Sequence, residues 1–156
     1  MNKEFIAIIH NVRSLHNVGS VFRTADGAGV SKIYLTGYTP SPVDEMGRVR
    51  KEIAKTALGA EQNVEWEAVK NISTLIKKLK KEGVQIIALE KTKNAVDFKN
   101  FKPKFPTALI VGNEVRGLSS AILAYADTII SISMRGKKES LNVSVAFGIA
   151  AYSISG

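Results

Sequence analysis

LIVGNEVRGLS, residues 109–119, is the stretch on which the fold turns. Leu109, Ile110 and Val111 extend an unbroken apolar run from Ala108, which is how a strand buried on both faces reads. Gly112, Asn113, Glu114 and Gly117 interrupt that run with residues that favour a tight turn. Residues 118–125 then read as a short helix. Strand, glycine turn and helix in that order are the building step of an α/β domain.

The same alternation continues in both directions. Residues 5–9, 32–35, 64–66, 84–89, 108–111 and 128–132 read as strands. Residues 17–28 read as a helix with Asn17 as its N-cap and Gly29 as its stop. Residues 46–58 read as a helix carrying Arg48, Arg50, Lys51 and Lys55. Residues 72–82 form an amphipathic pattern, with Ile72, Leu75, Ile76 and Leu79 on one face and Gly83 at the end. A last helix runs from Leu141, with Ser140 and Asn142 fitting its N-cap and first turn. Residues 36–42 and 91–106 read as loops, and Phe98, Phe101 and Phe105 predict that the second packs down. The prediction is one α/β domain over residues 1–156: a largely parallel twisted sheet with helices on both faces.

Composition narrows the chemistry. Lys and Arg number 22 against 14 Asp and Glu, a net charge of +8, which suits a polyanionic partner such as nucleic acid. Hydrophobic residues make up 45% of the 156, enough for a core. There is no cysteine, which excludes disulfides, zinc–cysteine sites and cysteine nucleophiles. His10 and His16 stand alone, without an acidic cluster, so no metal site is expected. Neither G-x-G-x-x-G after the first strand nor G-x-x-x-x-G-K-[ST] occurs, which removes nicotinamide and P-loop readings. The first apolar run is too short for a signal segment or a membrane span, so the expectation is a cytoplasmic protein without membrane attachment.

Ligands of open α/β sheets bind beyond the carboxyl ends of strands. Three segments there are unusual: residues 11–29, residues 109–119, and residues 130–148 with their Ser-Leu-Asn-Val-Ser run. They contain Asn17-Val-Gly19-Ser-Val-Phe-Arg23, Gly112-Asn-Glu114-Val-Arg-Gly117-Leu118, and the intact Ser140–Ser144 run. In order and in spacing they resemble the three signature motifs of the SpoU/TrmH branch of the SPOUT superfamily, RNA ribose 2′-O-methyltransferases. KTALGAE (residues 55–61) also resembles a family segment, and the resemblance covers essentially the whole chain.

The resemblance implies a C-terminal trefoil knot, a feature that periodicity does not show. It implies S-adenosylmethionine as cofactor, contacted by Leu89, Glu90, Gly112, Asn113, Ile132, Met134, Ser140 and Leu141. It assigns catalysis to Arg23, with Asn17, Glu114, Ser140 and Asn142 ordering the site. A guanidinium stays protonated, so Arg23 fits better as a phosphate clamp and alkoxide stabiliser than as a base; phosphate, water or Glu114 is left to take the proton. His16 tempts as a base, but the family does not require it. The resemblance also implies a homodimer in which one subunit's cofactor pocket meets the other's Arg23. That agrees with a last helix whose apolar residues, from Val143 to Tyr152, run around most of its circumference. RNA contacts are expected from Arg13, Arg48, Arg50, Lys51, Lys55, Arg116, Arg135, Lys137 and Lys138. The substrate expected is structured RNA, tRNA before rRNA, on a single domain without a separate RNA-binding domain. The competing reading is a non-catalytic RNA-binding homodimer that keeps the fold.

Overall fold

The computed structural model describes residues 3–156. Its strands are β1 (Phe5–His10), β2 (Lys32–Thr36), β3 (Glu65–Val69), β4 (Gln85–Leu89), β5 (Val96–Asp97), β6 (Thr107–Val111) and β7 (Thr128–Ser131). Its helices are α1 (Leu15–Ala28), α2 (Lys51–Ala57), α3 (Ala60–Asn63), α4 (Ile72–Lys81), α5 (Ser120–Leu123) and α6 (Val143–Ser155). The strands form one sheet in the order β3-β2-β1-β6-β4-β7-β5, and every neighbouring pair is parallel.

Successive residues of a strand point to opposite faces, and both faces are covered here. Phe5, Ala7 and Ile9 of β1 turn to the side of α1 and α6, meeting Val18, Phe22, Phe147 and Ala151. Ile6 and Ile8 turn to the side of α4 and α5, meeting Ile72, Ile76, Leu79 and Ile122. The amphipathic period of residues 72–82 is therefore used as read, with Asn71 as its N-cap accepting from Thr74 N at 3.1 Å.

Five local readings are corrected. The N-cap of α1 is Ser14, whose Oγ accepts from Asn17 N at 3.1 Å, so Asn17 lies inside the first turn and its side-chain carboxamide is left for other partners. Residues 46–50 are not helical. Asp44 Oδ1 accepts from Met46 N and Arg48 N, each at 2.9 Å, and Val43 bridges Val49; this turn leaves Arg48 and Arg50 ahead of α2. A short carboxylate that binds its own backbone competes with a helix in this way. The helix after β6 is shorter than 118–125 and is capped by Ser119. α6 begins at Val143 with Asn142 as its cap, not Ser140. In the stretch read as a loop, residues 96–97 add an edge strand beside β7, and Phe98, Phe101 and Phe105 pack on the core as expected.

The order of strands positions the site. From β1 the chain builds outward through β2 to β3, then crosses to β4 and returns to place β6 against β1. The two halves of the sheet thus part at β1 and β6, the kind of switch point beyond which α/β sheets open a crevice. The loops after β1 and β6 meet there, although about a hundred residues of chain separate them.

Candidate functional site

At that crevice three distant segments are tied by side chains. Glu114, in the turn after β6, accepts from Arg13 N at 3.1 Å through Oε1 and from Ser14 N at 2.9 Å through Oε2. The same Oε2 accepts from Asn17 Nδ2 at 3.3 Å. Asn17 Oδ1 in turn accepts from Asn142 Nδ2 at 3.2 Å. Asn142 Oδ1 caps α6 by accepting from Ser144 N at 2.9 Å. One chain of hydrogen bonds therefore joins the turn after β6, the first turn of α1 and the start of α6. Burial opposes the charge on Glu114, but the N–H groups of Ser14, Glu114 itself and Arg13, with the amide of Asn17, outweigh it and hold the carboxyl below its ordinary range.

A second carboxylate shapes the neighbouring wall. Glu90, just past β4, accepts from Leu118 N at 2.7 Å and from Lys91 N at 3.1 Å. Gly117 passes over it with φ +65°, and a Cβ there would lie 2.0 Å from Glu90 Oε1. Gly117→Ala is therefore expected to destabilise the fold by about 1–3 kcal/mol, from positive-φ strain and a carboxylate that cannot yield without losing its own bonds. Chemical denaturation checks this; an unchanged midpoint means that the loop relaxes freely.

Between these walls lies a cavity of about 490 Å³. Leu89, Glu90, Gly112, Asn113, Ile132, Met134, Ser140 and Leu141, expected together from the family resemblance, all line it. So do Glu114 and Arg116, and also Thr92, Val143 and Ala146, which sequence reasoning missed. Thr92 had only its place near the end of β4 as a signal, whereas Val143 lies within the Ser140–Ser144 run and Ala146 shortly after it. Glu90 and Asn113 spend much of their polarity internally: Asn113 donates to Asn11 O and Tyr38 Oη, both at 2.9 Å, and accepts from Val115 N and Arg116 N. What remains is a slot of mixed character, with Leu89, Ile132, Met134 and Leu141 beside Arg116, Glu139 and Ser140, of the size that holds a drug-sized molecule.

Arg23 does not reach this cavity. It is exposed on α1 and lines a separate surface hollow with His16, Ser20, Lys55, Leu58 and Tyr152. His16 carries its backbone carbonyl to Thr56 Oγ1 at 2.9 Å. The outer face of α6 is also left open: Val145 is 50% and Tyr152 54% exposed, although Phe147, Ala150, Ala151 and Ile154 are buried. Of the other basic candidates, Arg48 pairs with Asp44 at 3.0 Å, and Arg50 buries its Nε without a partner. Arg13, Lys51, Lys55, Arg116, Arg135, Lys137 and Lys138 are exposed. Among the described residues no cluster of three acidic or histidine side chains is placed to hold a metal, and no helix is long and apolar enough to cross a membrane.

Comparison with known proteins places these features in context. Residues 4–152 match the model of the SpoU rRNA Methylase family. A tRNA (guanosine(18)-2′-O)-methyltransferase of Aquifex aeolicus is 37% identical over 96% of this chain and 68% of its own length. The Escherichia coli K12 protein of the same name is 33% identical over 92% of this chain and 59% of its own. The crystal structure of an AdoMet-bound rRNA methyltransferase from Sinorhizobium meliloti superposes with a TM-score of 0.88 at 28% identity, over 98% of this chain and 56% of that one. The chain thus spans little more than half the length of several relatives that it matches.

Proposed function

The chain belongs to the SpoU methylase family, and from that premise we propose that it is an S-adenosylmethionine-dependent methyltransferase acting on a ribose 2′-hydroxyl of structured RNA. The single observation that carries this reading is the hydrogen-bonded junction Glu114–Asn17–Asn142, which unites the three motifs at the edge of one cavity.

The cavity fits the cofactor in size and in donor set. Leu89, Ile132, Met134 and Leu141 would flank it, Ser140 would offer a hydroxyl, and Gly112 brings main chain close. Bound there, it would supply an electrophilic sulfonium methyl for the ribose oxygen. In our reading the loops after β4, β6 and β7 are the knotted loops of the family. Glu114 is a positioning residue. Its carboxylate already accepts three N–H groups and its proton affinity is lowered, so it is a poor proton acceptor. Phosphate or water takes the hydroxyl proton instead. Arg23 clamps a substrate phosphate and stabilises the developing alkoxide.

Arg23 lies outside the cavity of its own chain, and α6 presents Val145, Ile149 and Tyr152 outward. Both features support a homodimer in which each Arg23 serves the partner's cavity. Arg13, Arg116, Arg135, Lys137 and Lys138 would track the RNA backbone. The two tRNA-modifying relatives favour tRNA over rRNA as substrate. We place the reaction in the cytoplasm, with a single catalytic domain over residues 1–156.

The test is calorimetry followed by transfer. Purified protein is expected to bind S-adenosylmethionine and to move a tritiated methyl from it to unmodified tRNA transcripts. Cofactor heat without any labelled tRNA or rRNA would support the non-catalytic RNA-binding reading, and no heat at millimolar cofactor would remove the enzyme altogether.

A further inference from the structure

Beside the junction stands an aromatic ring that none of these roles uses. β2 is buried to its last residue, Thr36, and the chain then leaves the sheet through Gly37 at φ +62°. Asn11 Oδ1 occupies the space a Cβ of Gly37 would need, at 1.9 Å, so only glycine fits. That oxygen accepts from Tyr38 N at 3.1 Å. At the other end of the side chain, Tyr38 Oη accepts from Asn113 Nδ2 at 2.9 Å, and the same nitrogen donates to Asn11 O at 2.9 Å. Tyr38 is thus pinned by its main chain and by its hydroxyl to the loops after β1 and β6, yet it is 55% exposed.

A large exposed aromatic is normally mobile or covered. Here the hydroxyl is engaged within the protein, so what is offered outward is ring surface. The Arg13 guanidinium stands over the ring at 5.8 Å from its centroid, and Arg13 N is itself bonded to Glu114. The cation is therefore set on a loop that carries the junction, and the ring, from the loop after β2, is tethered to it. Asn113 lines the cavity but Tyr38 does not, so the ring stands outside the cavity and is tied to its wall through Asn113. A flat π-face held rigid next to a cation is the chemistry that takes an unpaired nucleobase and its phosphate.

We propose that Tyr38, with Arg13, is a stacking site for an unpaired nucleobase beside the methylated nucleotide. The inference rests on the RNA-methyltransferase reading and adds to it a residue that helps to choose the substrate. Rigid anchoring matters because stacking then costs no side-chain ordering, and because the ring keeps a fixed distance from the loop of Glu114.

The experiment measures retention of labelled, unmodified tRNA transcripts by the full chain and by Tyr38→Ala, Tyr38→Phe and Arg13→Ala over a salt series. Tyr38→Ala is expected to weaken binding and raise KM for tRNA about tenfold, with the salt slope and the affinity for S-adenosylmethionine unchanged. Tyr38→Phe keeps the ring but loses the hydroxyl tether, and is expected to bind between the parent and Tyr38→Ala. Arg13→Ala is expected to reduce the salt slope. Parental affinity in Tyr38→Ala overturns the stacking site and leaves the enzyme reading standing. Equal losses in Tyr38→Phe and Tyr38→Ala also overturn it, because the hydroxyl tether and not the face would then matter. If the parent chain itself retains neither tRNA nor rRNA fragments, the RNA reading falls and the stacking site with it.

Discussion

Arg23→Ala is expected to lower methyl transfer by about two to three orders of magnitude, the usual loss when one preorganised donor to a developing oxyanion is removed. Folding and cofactor affinity should not change. Arg23 is exposed, lines a hollow apart from the cavity, and its side chain makes no hydrogen bond or ion pair to any described residue. Surface side chains without partners contribute little to stability, so any loss of turnover can be assigned to chemistry. Arg23→Lys should recover only part of the rate, because an ammonium lacks the bidentate fork that matches a phosphate. The proposed sharing of the site between two subunits has a sharper consequence. Arg23→Ala co-expressed with a Gly117→Val chain, whose cavity wall is broken, should regain activity that neither variant shows alone. The mixed dimer then holds one intact cavity facing one intact arginine. Turnover at the parental rate in Arg23→Ala removes this residue from the mechanism, and absence of complementation confines each site to a single chain.

Glu114→Ala is expected to reduce kcat about a hundredfold, through loss of position and not loss of a proton acceptor. Without the carboxylate, Asn17 loses the partner that orients it, and Asn142 loses a fixed Asn17. The N–H groups of Arg13 and Ser14 also lose their acceptor, a destabilisation of about 1–3 kcal/mol that is moderated by access to water. The pH dependence separates positioning from base catalysis. The folded-state carboxyl ionises below the ordinary value of 4.5. Its stabilising effect is therefore complete above that pH and is lost as the pH falls through the lower folded-state value. Parent protein should lose stability in that acid window, and Glu114→Ala should lack this component. Glu114→Gln keeps an acceptor and should retain more activity than alanine. A glutamine variant as inactive as the alanine variant, with an altered pH–rate limb, would instead assign Glu114 to proton transfer.

Much of this site was expected through the family resemblance carried by residues 11–29, 109–119 and 130–148, while the residue types alone pointed only to turns and caps. The eight residues expected for the cofactor line one cavity. Tyr38 was not legible. In the sequence it sits in a loop of turn formers, and only the bonds from Asn11 and Asn113 make it rigid. Residues 46–50 misled for a local reason: their composition permits a helix, but the Asp44 carboxylate captures two backbone N–H groups and closes a turn.

Apolar periodicity along the chain determined that this protein would fold as alternating strands and helices with both sheet faces buried, since burying apolar side chains is a local pattern summed over the chain. Which loops would face one another was decided only by the strand order. Placing β6 beside β1 brings Glu114 to Asn17, and the path from β7 into α6 brings Asn142 to the same point. Hydrogen bonds act only at contact distance, so residues separated by 97 and 125 positions acquire a shared role once the backbone has carried them together.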